Sequence, residues 1–324
     1  MREPGRDMLT GWLDYHRAIG VSRFFLYFDD PGDRDLDVVA TAHDVTTRRR
    51  DAELMDELRA CPQWPAMGPF AMTGRGGDRT MARQVLHVEH ALDRIAREQA
   101  DVDWLLHIDH DELFCTPGGD APAHFAALTE LGADHAVYLN HEAVPESIDV
   151  DDVFRDVTLF KRNPFVVERL RGPRARAAAI RRFLAYWNGK SVIRIGSGGR
   201  PSGVHRFAPT TQPLDTRVVE TPCILHYPSC GFARWRAKYR QLGDFGDRWF
   251  ERVPIGLPFH LDSRDQRTTS DDLARAYYRR HALLGGPAAL ERLRSRGLVV
   301  RIRAPSRILG ASSRRYPTER PTPR

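Results

Sequence analysis

Two periodicities alternate along this chain. Leu9, Trp12, Leu13 and Ile19 recur at helical intervals behind Asp7, a suitable N-cap, and Gly20 stands where a helix would end, so residues 7–20 predict an amphipathic helix. His16 falls on its apolar side and reads as a packed, satisfied histidine. Arg23–Phe28 is apolar on both alternating faces, the pattern of an interior strand covered on two sides. Asp29-Asp30-Pro31-Gly32-Asp33 then closes that strand as a turn. A weak helix over Ala52–Leu58 and a Pro- and Gly-rich loop over Pro62–Gly77 follow. From Asp78, the stripe Met81, Val85, Val88, Leu92 and Ile95 predicts a second helix. It leads into another buried strand, Val102–Ile108, which ends in Asp109-His110-Asp111-Glu112.

Helix, strand and acidic turn, repeated, is the rhythm of an α/β sheet whose ligands gather at strand C-termini. Ala136–Asn140, Ser191–Ile195 and Thr221–Tyr227 predict further strands, and residues 271–296 a helical stretch. Arg169, Arg171, Arg174, Arg176, Arg181 and Arg182, interleaved with Ala, Gly and Pro, predict an exposed helix-loop. Residues 304–324, rich in Pro, Ser, Thr and Arg, predict a disordered end.

Composition narrows the class. Of 324 residues, 41% are hydrophobic and 28% charged, so the chain can bury a sizeable core. The net charge of +6 lies entirely beyond residue 300, and a body-wide basic footprint for nucleic acid is absent. The arginine-rich end has two readings, contact with anionic lipid headgroups or an idle tail. No apolar run approaches bilayer length and the first twenty residues lack a secretory h-region, so the default expectation is cytoplasmic, peripheral to the membrane if the tail binds lipid. Cys61, Cys115, Cys223 and Cys230 make no CxxC or zinc spacing and read as reduced thiols.

The chemistry concentrates in the acidic turn. Asp109 and Asp111 close a strand one residue apart, so both carboxylates project the same way at the sheet's ligand edge, an arrangement suited to a hard divalent cation. His107 shares their parity and is either a ligand or a packed core histidine, the second being favoured. Arg79 and Arg83 could reach a diphosphate, but lie opposite the apolar stripe, where a solvated face is the favoured account. Trp187 and Trp235 read as core rather than as sugar platforms.

Leu13-Asp14-Tyr15-His16-Arg17-Ala18-Ile19-Gly20-Val21 with Phe24-Phe25-Leu26-Tyr27, and Asp103-Trp104-Leu105-Leu106-His107-Ile108-Asp109-His110-Asp111-Glu112-Leu113-Phe114, resemble signature segments of family-2 and family-92-like (DUF23-type) glycosyltransferases. Gly203-Val204-His205-Arg206-Phe207, and Leu225-His226-Tyr227-Pro228 with Lys238, resemble two later blocks of the same group. The matches run in order from Asp7 to Gly243. The resemblance implies a GT-A fold over residues 1–250, a Rossmann-like mixed sheet with helices on both faces. A helical extension over 251–303 and the disordered basic tail over 304–324 would follow.

The resemblance further implies metal-dependent transfer from a nucleotide-sugar, a UDP-sugar, to a saccharide or lipid-linked saccharide, with inversion. A divalent cation, Mn²⁺ or Mg²⁺, would stabilise the charge that builds on the departing diphosphate. By the same resemblance Asp109, Asp111 and His226 would form the metal shell, and Asp29, Gln84 and Asp109 would contact the nucleotide-sugar. An inverting transfer also needs a carboxylate base near the acceptor hydroxyl, and Glu142, just beyond a strand, is the candidate. Asp149, Asp151 and Asp152 lie close in sequence.

Two departures stand beside these matches. The group's opening strand, ending in Arg-Asn-Glu, is absent before the first helix. Arg2-Glu3 could be the remnant of its turn, and the loss would leave a row of backbone groups exposed; either the natural start lies upstream or the protein is impaired. Second, Tyr138-Leu139-Asn140-His141-Glu142-Ala143 replaces the expected Trp-x-x-Phe-Gly block. Two other classes remain open: a metal-dependent hydrolase using His107, Asp109 and Asp111, and a non-catalytic carbohydrate-binding relative.

Overall fold

The computed structural model describes residues 5–315 apart from 31, 40, 99 and 100, the side chains at 38 and 312–315 excepted. Pro31 of the expected turn, Arg2-Glu3 and residues 316–324 lie outside that range. Strands β1 (Phe24–Phe28) and β2 (Val45–Arg49) pair in parallel. Among the described residues a separate seven-stranded mixed sheet holds β3 (Trp104–Leu106), β4 (Glu112–Cys115), β5 (His135–Val144), β6 (Leu159–Lys161), β7 (Lys190–Arg194), β8 (Thr216–His226) and β9 (Val299–Arg301).

β5 is the spine of this sheet. Every one of its ten residues is buried, which is why it reads as a continuous rather than an alternating run. It runs parallel to β8 on one side and antiparallel to β6 and β7 on the other. β4 lies beyond β8, β3 beyond β7 and β9 beyond β6, all antiparallel. Neighbouring residues reveal a cover on each face. Phe160 and Val192 join the core built by the Arg6–Ala18 and Ala121–Glu130 helices, whereas Leu159 packs with Val167 and Leu293, and Ile193 with Val88 of the Gly76–Glu98 helix. The protein is thus a mixed α/β fold, a Rossmann-like sheet with helices on both faces.

The two sheets approach each other along β1 and β3. Phe24 N donates to Asp44 O and Arg50 N to Phe28 O, so Phe25 and Tyr27 turn their main-chain groups away from β2. Ile195 N donates to Asp103 O and His107 N to Ser191 O, so Trp104 and Leu106 turn theirs away from β7. Both strands line a cavity of about 450 Å³, which Gln84, His107 and Asp109 also line.

Several expected elements differ. Pro62–Gly77 is not a loop: Trp64–Thr73 is helical, with a proline in its first turn, and Ala71 and Trp64 pack with Leu54, Leu58 and Leu86. Tertiary burial there overrides the Pro and Gly content that favoured a loop. The arginine-rich stretch is two short helices, Pro164–Arg171 and Pro173–Ile180, broken at Gly172 where φ is 83°. The 251–303 extension does more than append helices, because β9 extends the main sheet through β6.

The expected disordered tail is corrected over its first part. Ala304–Arg315 is a helix, and Leu309 is 1% exposed in the main core beside the first helix. The signal was legible as Ile308-Leu309, but the surrounding Pro, Ser and Arg outweighed it. Leu309→Ala is expected to cost about 3 kcal/mol of unfolding free energy, since truncating a buried leucine removes its transfer energy and leaves a cavity. Unchanged stability in urea would return this segment to the idle tail.

His16 has the packed role its position implies. Its Nδ1 lies 2.8 Å from Trp12 O and its Nε2 accepts from Phe114 N at 3.2 Å, so both nitrogens are used only by the neutral ring. Burial pushes its pKa down to about 4, against a smaller opposing pull from the Trp12 carbonyl. The unfolded chain therefore binds the proton first, and the stability His16 gives is present above about pH 6.5 and lost as pH falls toward 4. The loss amounts to about 3 kcal/mol from this residue. Urea unfolding of wild type at pH 7 and pH 4.5 should show it, and His16→Gln should flatten the dependence.

Candidate functional site

The site is assembled where β4 and β8 meet the turn before β4. Strand β3 stops at Leu106, and an irregular stretch over 107–109 with a turn at His110-Asp111 stands in place of the strand end that the sequence suggests. Glu112 N donates to Asp109 O at 3.1 Å, and Asp109 N donates back to the Glu112 carboxylate at 2.8 Å. The continuous strand on which the parallel projection of Asp109 and Asp111 rested is therefore absent. The turn sends them to different partners, and Glu112, the first residue of β4, comes in beside Asp111.

Asp111, Glu112 and His226 each offer a ligand atom within 4.8 Å of the others. The β4–β8 ladder sets this up, because Glu112 and His226 are register partners and Tyr227 N holds Asp111 O at 2.8 Å. His226 Nε2 lies 3.8 Å and Lys238 Nζ 3.6 Å from Asp111 Oδ2. The buried Nδ1 of His226 has no hydrogen-bond partner among the described residues. Two carboxylates and one imidazole with a spare buried nitrogen fit a divalent cation such as Mn²⁺.

The charges around this group are unequal. Burial pushes the Glu112 carboxyl up to about 8 against the pull of Lys190, and the neighbouring Asp109 and Asp111 add to the rise. Burial also opposes ionisation of Asp111, but Lys238 and His226 outweigh it and hold that carboxyl below its ordinary value. Burial lowers His226 against the pull of Asp111. At neutral pH, then, Asp111 is the ionised member, and Glu112 retains its proton until something positive displaces it.

Asp109 stands beside this group, not in it. Its carboxylate accepts from Lys190 Nζ at 2.8 Å and from Gln84 Nε2. Burial resists its ionisation, yet Lys190 wins and holds it far below the usual carboxylate range. Lys190, fully buried at the start of β7, also lies 3.7 Å from Glu112. Asp29 pairs with Arg83, whose Nε also donates to Ala71 O. Arg83 is therefore enclosed, not on the solvated face expected of it, and the adjacent Gln84 bridges from the same helix to Asp109. His107 is neutral, pressed down to about 3 by burial with help from Lys190, and is not one of the clustered ligands. Trp235, 1% exposed, is core.

Glu142 is the clear correction. Its carboxylate is fully buried and accepts from Lys161 Nζ at 2.5 Å, Leu184 N at 3.0 Å and Ala185 N at 2.8 Å. A base must reach an acceptor hydroxyl. This one is enclosed and already shared among three donors. Its register does bring it into the neighbourhood, as the β5 partner of His226.

Sequence reasoning missed Tyr186 and Lys190 altogether. Tyr186 donates its hydroxyl to Glu112 and packs its ring 4.7 Å from His226 and 4.3 Å from His205. A lysine opening an apolar strand, Lys190-Ser191-Val192-Ile193, was the available signal, since a buried lysine requires a buried acid. Tyr186 carried no such mark.

With this geometry in place, likeness to known proteins adds a name to compare. No family model matches the chain. It is 26% identical to an Arabidopsis thaliana protein named glycosyltransferase-like At2g41451, the match covering 94% of this chain and 69% of the relative. It is 24% identical to a second, glycosyltransferase-like At3g57200 of Arabidopsis thaliana, over 94% of this chain and 61% of the relative. Nearly the whole chain therefore resembles proteins so named, and it spans about two-thirds of their length. Among the described residues no helix is long and apolar enough to cross a membrane.

Proposed function

We propose that this protein is a glycosyltransferase of the GT-A kind, which moves a sugar from a nucleotide-sugar to a saccharide or lipid-linked acceptor with the help of a divalent cation. The observation that carries the reading is the Asp111–Glu112–His226 cluster with its spare His226 nitrogen, at the edge of a Rossmann-like sheet. The names of the two relatives support sugar transfer in general.

Asp111, Glu112 and His226 would hold the cation, Mn²⁺ suiting the mixed donors better than Mg²⁺. When bound, it would neutralise charge on the diphosphate leaving group. Lys238, half-exposed beside Asp111, is placed to meet a phosphate oxygen on the same side. Asp29 with Arg83, and Gln84 with Asp109, form a connected polar edge proposed for the nucleoside, with a UDP-sugar as donor. Lys190 keeps Asp109 ionised, so that its free lone pairs accept a ribose hydroxyl. The transfer is proposed to invert, with its general base a residue other than Glu142.

The test is calorimetry of Mn²⁺ with and without UDP, followed by a thermal-shift screen of nucleotide-sugars. A transferase should bind Mn²⁺ more tightly with UDP present, because the diphosphate completes the coordination. Tight Mn²⁺ binding that ignores UDP would favour the hydrolase reading and sink this one.

A further inference from the structure

Segment 182–189, between the Pro173–Ile180 helix and β7, has no helix or strand of its own and hangs on four buried side chains. Lys161 Nζ donates to Arg182 O at 2.6 Å, and Glu142 accepts from Leu184 N and Ala185 N. Asn140 donates to Tyr186 O at 2.9 Å and accepts from Gly189 N at 3.1 Å. Asn163 donates to Trp187 O at 2.8 Å. The pair at the centre of this scaffold, Glu142 and Lys161, is almost completely enclosed, with side chains 0% and 3% exposed.

The register explains why this matters for the cluster. Glu112, His226, Glu142 and Lys161 are successive partners across β4, β8, β5 and β6, one buried polar row. The segment carries Tyr186 back across that row, where its hydroxyl meets Glu112 and its ring lies against His226. The next residue after it, Lys190, meets Asp109. Glu142 has no hydrogen bond of its own to Asp111, Glu112 or His226; apart from the direct pull of its charge on the His226 ring, its influence passes through the segment.

We infer that Glu142, balanced by Lys161, is a positioning residue of the cation site: it fixes segment 182–189 so that Tyr186 and Lys190 hold Glu112 and Asp109 in place. This rests on the proposed reading of Asp111, Glu112 and His226. The chemistry asks for a carboxylate here. Two oxygens accept from two amides and an ammonium at once, whereas an amide side chain offers one acceptor and turns a donor toward either the Lys161 ammonium or the Ala185 N–H.

Mn²⁺ calorimetry and thermal unfolding of wild type, Glu142→Gln and Glu142→Gln/Lys161→Met decide it. Glu142→Gln should bind Mn²⁺ about 10- to 100-fold more weakly, the usual effect of losing a group that orients metal ligands. The double variant leaves no lone buried charge and should regain thermal stability while its affinity stays low. If Glu142→Gln does not fold, the double variant alone decides. Full affinity in either variant reduces the pair to a structural ion pair and overturns the inference. A wild type that binds no Mn²⁺ overturns the cation reading itself, visible before any variant is compared, and the positioning role falls with it.

Discussion

Asp111→Asn is expected to abolish measurable Mn²⁺ binding and to lower sugar transfer by about 10³-fold, the scale of losing a group that stabilises transition-state charge. The substitution keeps shape and removes charge. That charge is the one the cluster has at neutral pH, because Glu112, pushed up to about 8, is still protonated when Asp111 is not. A cation approaching the variant would have to displace the Glu112 proton without an ionised partner beside it. Thermal stability should change little, since Asp111 forms no closer ionic contact than 3.6 Å. Calorimetry and a transfer assay on the same preparation check both halves. Mn²⁺ bound at wild-type affinity by Asp111→Asn would end the case for this cluster.

Lys190→Met should destabilise the protein by about 2–3 kcal/mol, the cost of leaving a carboxylate that is only 25% exposed without its charged partner. Lys190 is fully buried, and its ammonium meets Asp109 at 2.8 Å and Val204 O at 3.3 Å. In the wild type Asp109 is held far below its unfolded pKa despite burial, so the pair's contribution is complete above about pH 4 and fades as acid protonates the carboxylate. The deficit of Lys190→Met should accordingly be largest at neutral pH and shrink below about pH 4. Adding Asp109→Asn should recover most of the loss by removing the orphaned charge. Urea unfolding across pH measures all three; a deficit under about 1 kcal/mol, or one independent of pH, would show the pair to be weakly coupled.

The neighbourhood of the site was legible, its membership was not. The acidic turn stood out as Asp109-His110-Asp111-Glu112 after an apolar run, because strand ends at a sheet edge are where such residues gather, and His226 was marked only by the resemblance to a known group. Which carboxylates cluster with His226 depended on where β3 stops. Period-two alternation carries Asp109 and Asp111 to one side only if the strand continues through them, and it ends at Leu106. Glu142 shows the same gap. Its position after a strand resembled that of an exposed base, and only the Lys161 ammonium and the Leu184 and Ala185 amides closing on it make it a buried, occupied carboxylate.

The chain's own pattern determined the α/β class, the helices beginning near Asp7 and Asp78, the buried β1 and β5, and the polar turn before β4. Those are local properties, set by apolar spacing and by residues that start or stop an element. The tertiary structure alone decided that Glu112 joins Asp111 and His226, that Tyr186 reaches Glu112 from a distant segment and Lys190 reaches Asp109 from the start of β7, and that Leu309 packs against the first helix. Each of these joins residues dozens to hundreds of positions apart. Cross-strand register and burial fix such contacts, and no window along one sequence contains them.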